Sequence, residues 1–317
     1  MHGFFALTDQ DWYQFLLERS RQGSLDEVNF WAPSGKGAMS LPQGSPFFFQ
    51  LKKPHYAIGG FGFLGPVSSL PLSFAWHAFG EGNGAASSEE MRIRVDKYRR
   101  RSSGKGGRTE LDPVIGCRTI LEPVFFAPEE WVAIASDWSK NIVVGKTYDL
   151  SEGEGARIWG ECQARLRTLN RNLPEIGTVA DSDGSRYGSE QSYRPRLGQG
   201  TFRVAILDAY GRSCAVTTEH SLPVLEAAHI RPYGKGGEHA VSNGLLLRSD
   251  LHRLYDGGYV TVTPNHQFQV SPLLRETWAN GKIYYDLDGT TIQLPKSPDH
   301  QPDRELLDWH SNEVYQG

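Results

Sequence analysis

His229, Asn243 and His252 follow one another at intervals of fourteen and nine residues in the run LEAAHIRPYGKGGEHAVSNGLLLRSDLHRLYDGG. An imidazole is the side chain whose ordinary pKa lets it take a proton from water near neutral pH. A second imidazole is a good ligand for a divalent cation, which neutralises charge on a phosphate under attack. An amide placed between them can orient the base or reach the cation. These residue types supply what metal-assisted hydrolysis of a phosphodiester requires. We expect His229 as general base, Asn243 as its orienting residue or a metal contact, and His252 as a metal ligand.

Such residues work only if the chain brings them together. VLEAAHI reads as a strand ending at His229, and PYGKGGEHAVSN as a loop with three glycines. Leu245 to Tyr255 is expected to form the helix that carries His252. Upstream, RLGQGTFRVAILDAYGRSC has an apolar face through Phe202, Ala205, Ile206 and Ala209, which predicts another helix.

The first half of the chain reads differently. Thr8 is expected to cap a helix over DQDWYQFLLERSRQ, with Trp12, Phe15 and Leu16 on one face. VNFW, PFFFQLK, YAIGGFGFLG and CRTILEPVFF are short, aromatic or β-branched, and separated by Gly, Pro and Ser; they predict the strands of a small barrel. Ile142 to Val144 predict a further strand or turn. Ala156 to Leu169 predict a helix with Ile158, Cys162 and Leu166 at helical spacing. The polar stretch 177–196 reads as a linker or exposed loop. The expected division is residues 1–170, a linker at 171–195, and a second domain at 196–317. No internal repeat is evident.

At 317 residues the chain has room for about two domains. Its net charge of −4 argues against coating nucleic acid by bulk charge. Locally, RIRVDKYRRRSSGKGGR (92–108) carries eight basic residues against one acidic. It is expected as a solvated face or flexible loop whose Arg99, Arg100, Arg101 and Lys105 contact a DNA backbone. The three cysteines form no CxxC pair, which fits reduced thiols in a cytosolic protein. No leader pattern and no apolar run of membrane-spanning length is present. A soluble, cytoplasmic, prokaryotic-type protein with no membrane partner is the expectation.

The blocks RLGQGTFR, YGRSCAVT, LEAAHIRPY, SNGLLLRSDLHRLYDGG and, near the C-terminus, LP followed by LDWH occur in order. Over about 120 residues they resemble the HNH domain of modification-dependent and related restriction endonucleases. The resemblance implies a ββα-metal nuclease domain, Mg²⁺ or Mn²⁺ as cofactor, and double-stranded DNA as substrate. One such site cuts one strand, so a homodimer is expected. Sites of this type commonly place an Asp or His directly before the base. Here that position is Ala228, and Glu226 is taken as the substitute ligand. A structural zinc is not expected, because the positions for its thiolates read Cys214, Thr217, Arg248 and Leu251. Arg231, Arg248 and Arg253 are expected at phosphates, His239 as a solvated loop residue and His310 as structural. His220, His266 and His300 read as surface residues.

NFWAPSG, GSPFFFQLKKPHYAIGGFGFLG and PLSFAWHAFGEGNG resemble the PUA superfamily, including EVE-like and SRA-like readers, over residues 27 to about 150. The resemblance implies flipping of a modified cytosine, 5-methyl or 5-hydroxymethyl, into a pocket. Trp31 and Trp76 are the expected walls, Phe30, Tyr56 and Phe74 stand behind them, and the Asn29 amide meets the base edge. The fold class expected for the whole chain is α+β, an N-terminal PUA-like barrel joined to a C-terminal ββα-metal domain. Two alternatives stay open: an HNH nuclease reading unmodified sequence, and a non-catalytic nucleic-acid-binding protein.

Overall fold

The structure is a computed structural model. It describes the chain apart from residues 24, 36–38, 104–109, 140, 173–197 and 279–280, and apart from the side chains of 101–103, 170–172 and 278. The expected linker therefore lies almost wholly outside the described residues. The chain forms two compact units, Met1–Arg196 and Leu197–Gly317.

The first unit runs β1 (His2–Thr8), α1 (Gln10–Gln22), β2 (Glu27–Asn29), β3 (Pro46–Leu51), β4 (Ala57–Pro71), α2 (Leu72–Phe79), α3 (Ser88–Ser103), β5 (Val114–Phe125), β6 (Val132–Ala133), β7 (Gly145–Asp149) and α4 (Gly153–Asn172). Its strands form one mixed sheet in the order β2-β5-β4-β3-β1-β7, with β6 beside β4. β1 and β3 are parallel and the other pairs antiparallel. β3 is buried on both faces, as PFFFQL requires. Phe47, Phe49 and Leu51 meet α1 through Trp12, Tyr13 and Leu16. Phe48 faces the other way, toward Phe5, Ile158, Trp159 and Cys162.

Four expectations change here. No closed barrel is found among the described residues: β2 and β7 end the sheet and do not pair with each other. β7 is followed directly by α4, which packs on β7 and β6. The cap of α1 is Asp9, whose carboxylate accepts from the backbone N–H of Asp11 and Trp12, while the Thr8 hydroxyl donates to Ala6 O. The buried stripe of α1 is Trp12, Tyr13, Leu16 and Leu17 rather than one including Phe15. Finally, the basic stretch is helical through Ser103, because Met91 and Val95, one turn apart, are buried. Ser87 accepts from Glu90 N and the Glu90 carboxylate from Ala86 N, closing the first turn.

The second unit runs α5 (Gln199–Ala209), β8 (Leu225–His229), β9 (Gly244–Arg248), α6 (Ser249–Asp256), β10 (Val260–Val262), β11 (Phe268–Val270), α7 (Leu273–Trp278), α8 (Lys282–Tyr285) and α9 (Arg304–Glu313). β8 and β9 form an antiparallel pair, with His229 opposite Gly244. The expected helix over Leu245–Tyr255 is thus half strand. Leu245, Leu246 and Leu247 are all buried in β9, and the chain turns helical at Ser249. α5 packs on this pair through Phe202, Val204, Ile206 and Leu207, a face rotated from the expected one, with Ala205 and Ala209 half-buried. A side chain at Gly244 would collide with Phe202 and Ile206, so glycine is what lets α5 approach. Across the unit, His310 of α9 stacks on Tyr255 at 3.7 Å and is buried, as a structural residue should be. Its Nε2–H donates to Tyr255 O and its Nδ1 accepts from the Thr261 hydroxyl.

Candidate active site

β8, β9 and α6 place two of the three residues beside one cleft. The cleft has a volume of about 400 Å³, and Phe202, Arg203, His229, Lys235, His252 and Asp256 are among its lining residues. His229 ends β8, and its ring lies flat against Phe202, with centroids 3.9 Å apart. Burial pushes its pKa down to about 4, and the charges of His239, His252 and Arg203 act in the same direction. The imidazole is therefore neutral at neutral pH.

His252 sits on the second turn of α6, whose Leu251 and Tyr255 bury the opposite face. Its Nδ1 lies 2.7 Å from Glu226 Oε2, and its Nε2 lies 3.3 Å from Asp256 Oδ2. One imidazole is thus held between two carboxylates. Partial burial pushes the Asp256 carboxyl upward; His252 opposes this and Glu226 adds to it.

Asn243 occupies a different place. It is buried, and its Oδ1 accepts from Arg231 N at 2.9 Å. Its Nδ2 donates to Arg231 O at 2.9 Å and to Glu238 O at 2.7 Å. The amide fastens the loop between β8 and β9. Gly237 belongs to the same fastening, since a Cβ there would collide with the Arg231 carbonyl and approach the Asn243 amide.

Residues 214–263 match the HNH endonuclease family. His229, Asn243, His252 and Asp256 all fall inside the matched stretch. No curated protein matches the chain. Among solved structures, a modification-dependent TagI restriction endonuclease is similar at 12% identity. That match covers 91% of this chain and 75% of the other, with a TM-score of 0.31. A mutant of the ZmASCH protein from Zymomonas mobilis is similar at 12% identity over 53% of this chain and 95% of the other, with a TM-score of 0.27.

Two residues of the HNH stretch were missed by sequence reasoning. Asp256 stands four residues after His252, a spacing that puts both on one helix face and could have been read. His239, expected as a solvated loop residue, lies with its Nδ1 2.9 Å from His229 Nε2. No local pattern signals that, because it depends on the path of the loop. Arg248 engages Asp250 through two bonds of 2.6 and 2.7 Å. Arg231 donates to Lys235 O and lies over the Trp309 ring.

In the first unit the expected reader residues sit in several settings. Asn29 is fully buried, with Nδ2 bonded to Asn83 Oδ1 and Cys117 Sγ. Phe30 packs against Trp12 and Phe47. Asn29 is committed to the core, which removes it from a base-edge role, while Phe30 is half-buried at the edge of the core. Trp31 donates to Asn83 O and meets Tyr98 edge-on. Trp76, on α2, and Phe74 are half-buried, and Tyr56 is exposed. Arg99 is held by Pro33 O, Val114 O and Glu110, while Arg100 is exposed. The side chain of Arg101, and Lys105 as a whole, lie outside the described residues.

Proposed function

We propose that this protein is a metal-dependent DNA endonuclease that hydrolyses phosphodiester bonds at the HNH cleft. The observation that carries the reading is His229, a neutral imidazole facing a cleft that also holds the His252–Asp256 pair.

Among the described residues no three His, Cys, Asp or Glu side chains converge as a closed metal cage. The donor set fits an open site instead. A metal-binding imidazole commonly gives its second ring N–H to a carboxylate, which fixes the tautomer. Glu226 stands at Nδ1 of His252 in that way, leaving Nε2 directed at Asp256. His252 and Asp256 are therefore the proposed ligands, and Glu226 moves from ligand to orienting partner. Asn243, with its amide engaged by the loop backbone, is proposed as the residue that shapes the loop. When bound, Mg²⁺ or Mn²⁺ would neutralise charge on the scissile phosphate and the leaving oxygen, with phosphate and water oxygens completing its shell.

The chain supplies the remainder. His229 takes the proton of the attacking water. Phe202 fixes the plane of its ring, so the lone pair keeps one direction. Arg203 and Lys235 line the cleft and attract the phosphate backbone.

The first unit is proposed as the DNA reader, and a modified cytosine as the feature read. The support is the resemblance of its strand blocks to PUA-superfamily readers. With Asn29 in the core, Trp31 and Trp76 remain as the proposed stacking surfaces, with Phe30 behind them. Cutting both strands requires two sites, so a homodimer is proposed. Matched plasmids carrying cytosine, 5-methylcytosine or 5-hydroxymethylcytosine test the reading. Preferential cutting of a modified plasmid is expected, and equal cutting of all three refutes modification dependence.

A further inference from the structure

His239 makes a contact that the cleavage chemistry above does not use. Its Nδ1 lies 2.9 Å from His229 Nε2, and the two rings meet at 64° with centroids 5.0 Å apart. We infer that His239 is a positioning residue that sets the tautomer of His229, keeping the proton on Nε2 and Nδ1 bare toward the cleft. The inference rests on the reading of His229 as the base.

Two nitrogens at this distance share one proton, so one ring donates and the other accepts. If His239 donated, Nε2 of His229 would be the acceptor, and its own proton would sit on Nδ1. Neither nitrogen of His229 would then have a lone pair to offer water. If His229 donates, its Nδ1 lone pair is open. That atom has no hydrogen-bond partner among the described residues and is not sealed from solvent. The second arrangement is the one in which the ring can act.

The loop holds the His239 ring in place against His229. Tyr233 stacks on the His239 ring at 5.2 Å, with planes 7° apart. Glu238, immediately before it, has its carbonyl tied to the Asn243 amide at 2.7 Å. Asn243 thus reaches His229 indirectly: it fixes the loop, the loop fixes His239, and His239 fixes the base. The proton balance is simple. Water loses a proton to His229 Nδ1, making an imidazolium whose Nε2–H still donates to His239 Nδ1. That hydrogen bond becomes charge-assisted and so stronger as the proton arrives. No proton passes to His239.

The test uses the full-length protein labelled with ¹⁵N. Long-range ¹H–¹⁵N spectra at neutral pH, without metal, report which nitrogen of His229 is protonated. H239N keeps an acceptor, because the Asn Oδ1 stands near the place of the imidazole Nδ1; H239L removes it. The wild type is expected to show a protonated Nε2 and a bare Nδ1. H239L is expected to show mixed tautomers and a kcat for plasmid nicking reduced about 10- to 100-fold, with KM little changed. H239N is expected to keep the wild-type signature and most of the rate. A proton on Nδ1 in the wild type overturns the inference, as does an H239L protein with unchanged spectrum and rate. Should H239L not fold, loss of the signature in H239N overturns it equally. If the wild type cuts no DNA, the nuclease reading fails, while the spectrum still decides the direction of the hydrogen bond.

Discussion

At the scale of single residues, the site depends on keeping the His229 imidazole neutral. His229 is held near a pKa of about 4 by burial and by neighbouring positive charge. It stays unprotonated well below the ordinary histidine value of about 6.5. The acid limb of the pH–rate profile is therefore expected below pH 6, measured as initial nicking rates between pH 4.5 and 8. A limb centred at 6.5 or above would show that His229 is not held in this state. On the proposed reading, Glu226 orients His252 rather than binding the ion. E226Q is expected to weaken the apparent affinity for Mn²⁺ about 10- to 100-fold while leaving the fold intact. Titration of nicking rate against metal concentration checks this, and an unchanged midpoint contradicts the orienting role.

At the scale of elements, the β8–β9 loop and α3 carry the testable weight. Asn243 satisfies a backbone N–H and two backbone carbonyls, so N243A leaves buried groups unpaired. A loss of about 2 kcal/mol is expected in urea unfolding, together with loss of the His229–His239 alignment. In α3, Arg94 pairs with Glu90 and Arg99 with Glu110. Arg92, Lys97 and Arg100 make no ion pair among the described residues, and on the proposed reading they are the side chains that meet phosphate. Replacing all three with Ala is expected to reduce the slope of log K against log salt by up to about 3. An unchanged slope would place the DNA elsewhere. What the sequence made legible also divides at this scale. The β8 strand, the glycine loop and the position of His252 were readable because apolar runs and glycines announce them. β9 was read as helix because GLLLR, buried on both faces, has no alternation to separate strand from helix. The basic run was not read as a helix because its charges hid the two buried positions, Met91 and Val95, that make it one. His239 was unreadable, since its contact arises from loop geometry rather than spacing.

At the scale of the whole molecule, His229 and His310 are both pushed down to about 4 by burial. In the unfolded chain they take up protons below about 6.5, whereas the folded protein keeps them neutral to about 4. Their contribution to stability is fully present above pH 6.5 and is lost as pH falls toward 4. For the buried His310 alone this is on the order of 3 kcal/mol. Denaturation midpoints across that range check it, and H310Q should flatten the dependence. The α+β class was legible from the mix of strand and helix patterns. The closed barrel was not a safe reading, because closure depends on whether the end strands pair, and β2 and β7 do not. The central claim remains hydrolysis by His229 at the HNH cleft. Nicking of supercoiled plasmid by wild type and H229A, with Mg²⁺ or Mn²⁺ and with EDTA, tests it most directly. The expected result is metal-dependent nicking that falls about 100- to 10,000-fold in H229A, with DNA binding retained. Nicking by H229A at the wild-type rate, or by the wild type in EDTA, would contradict the account.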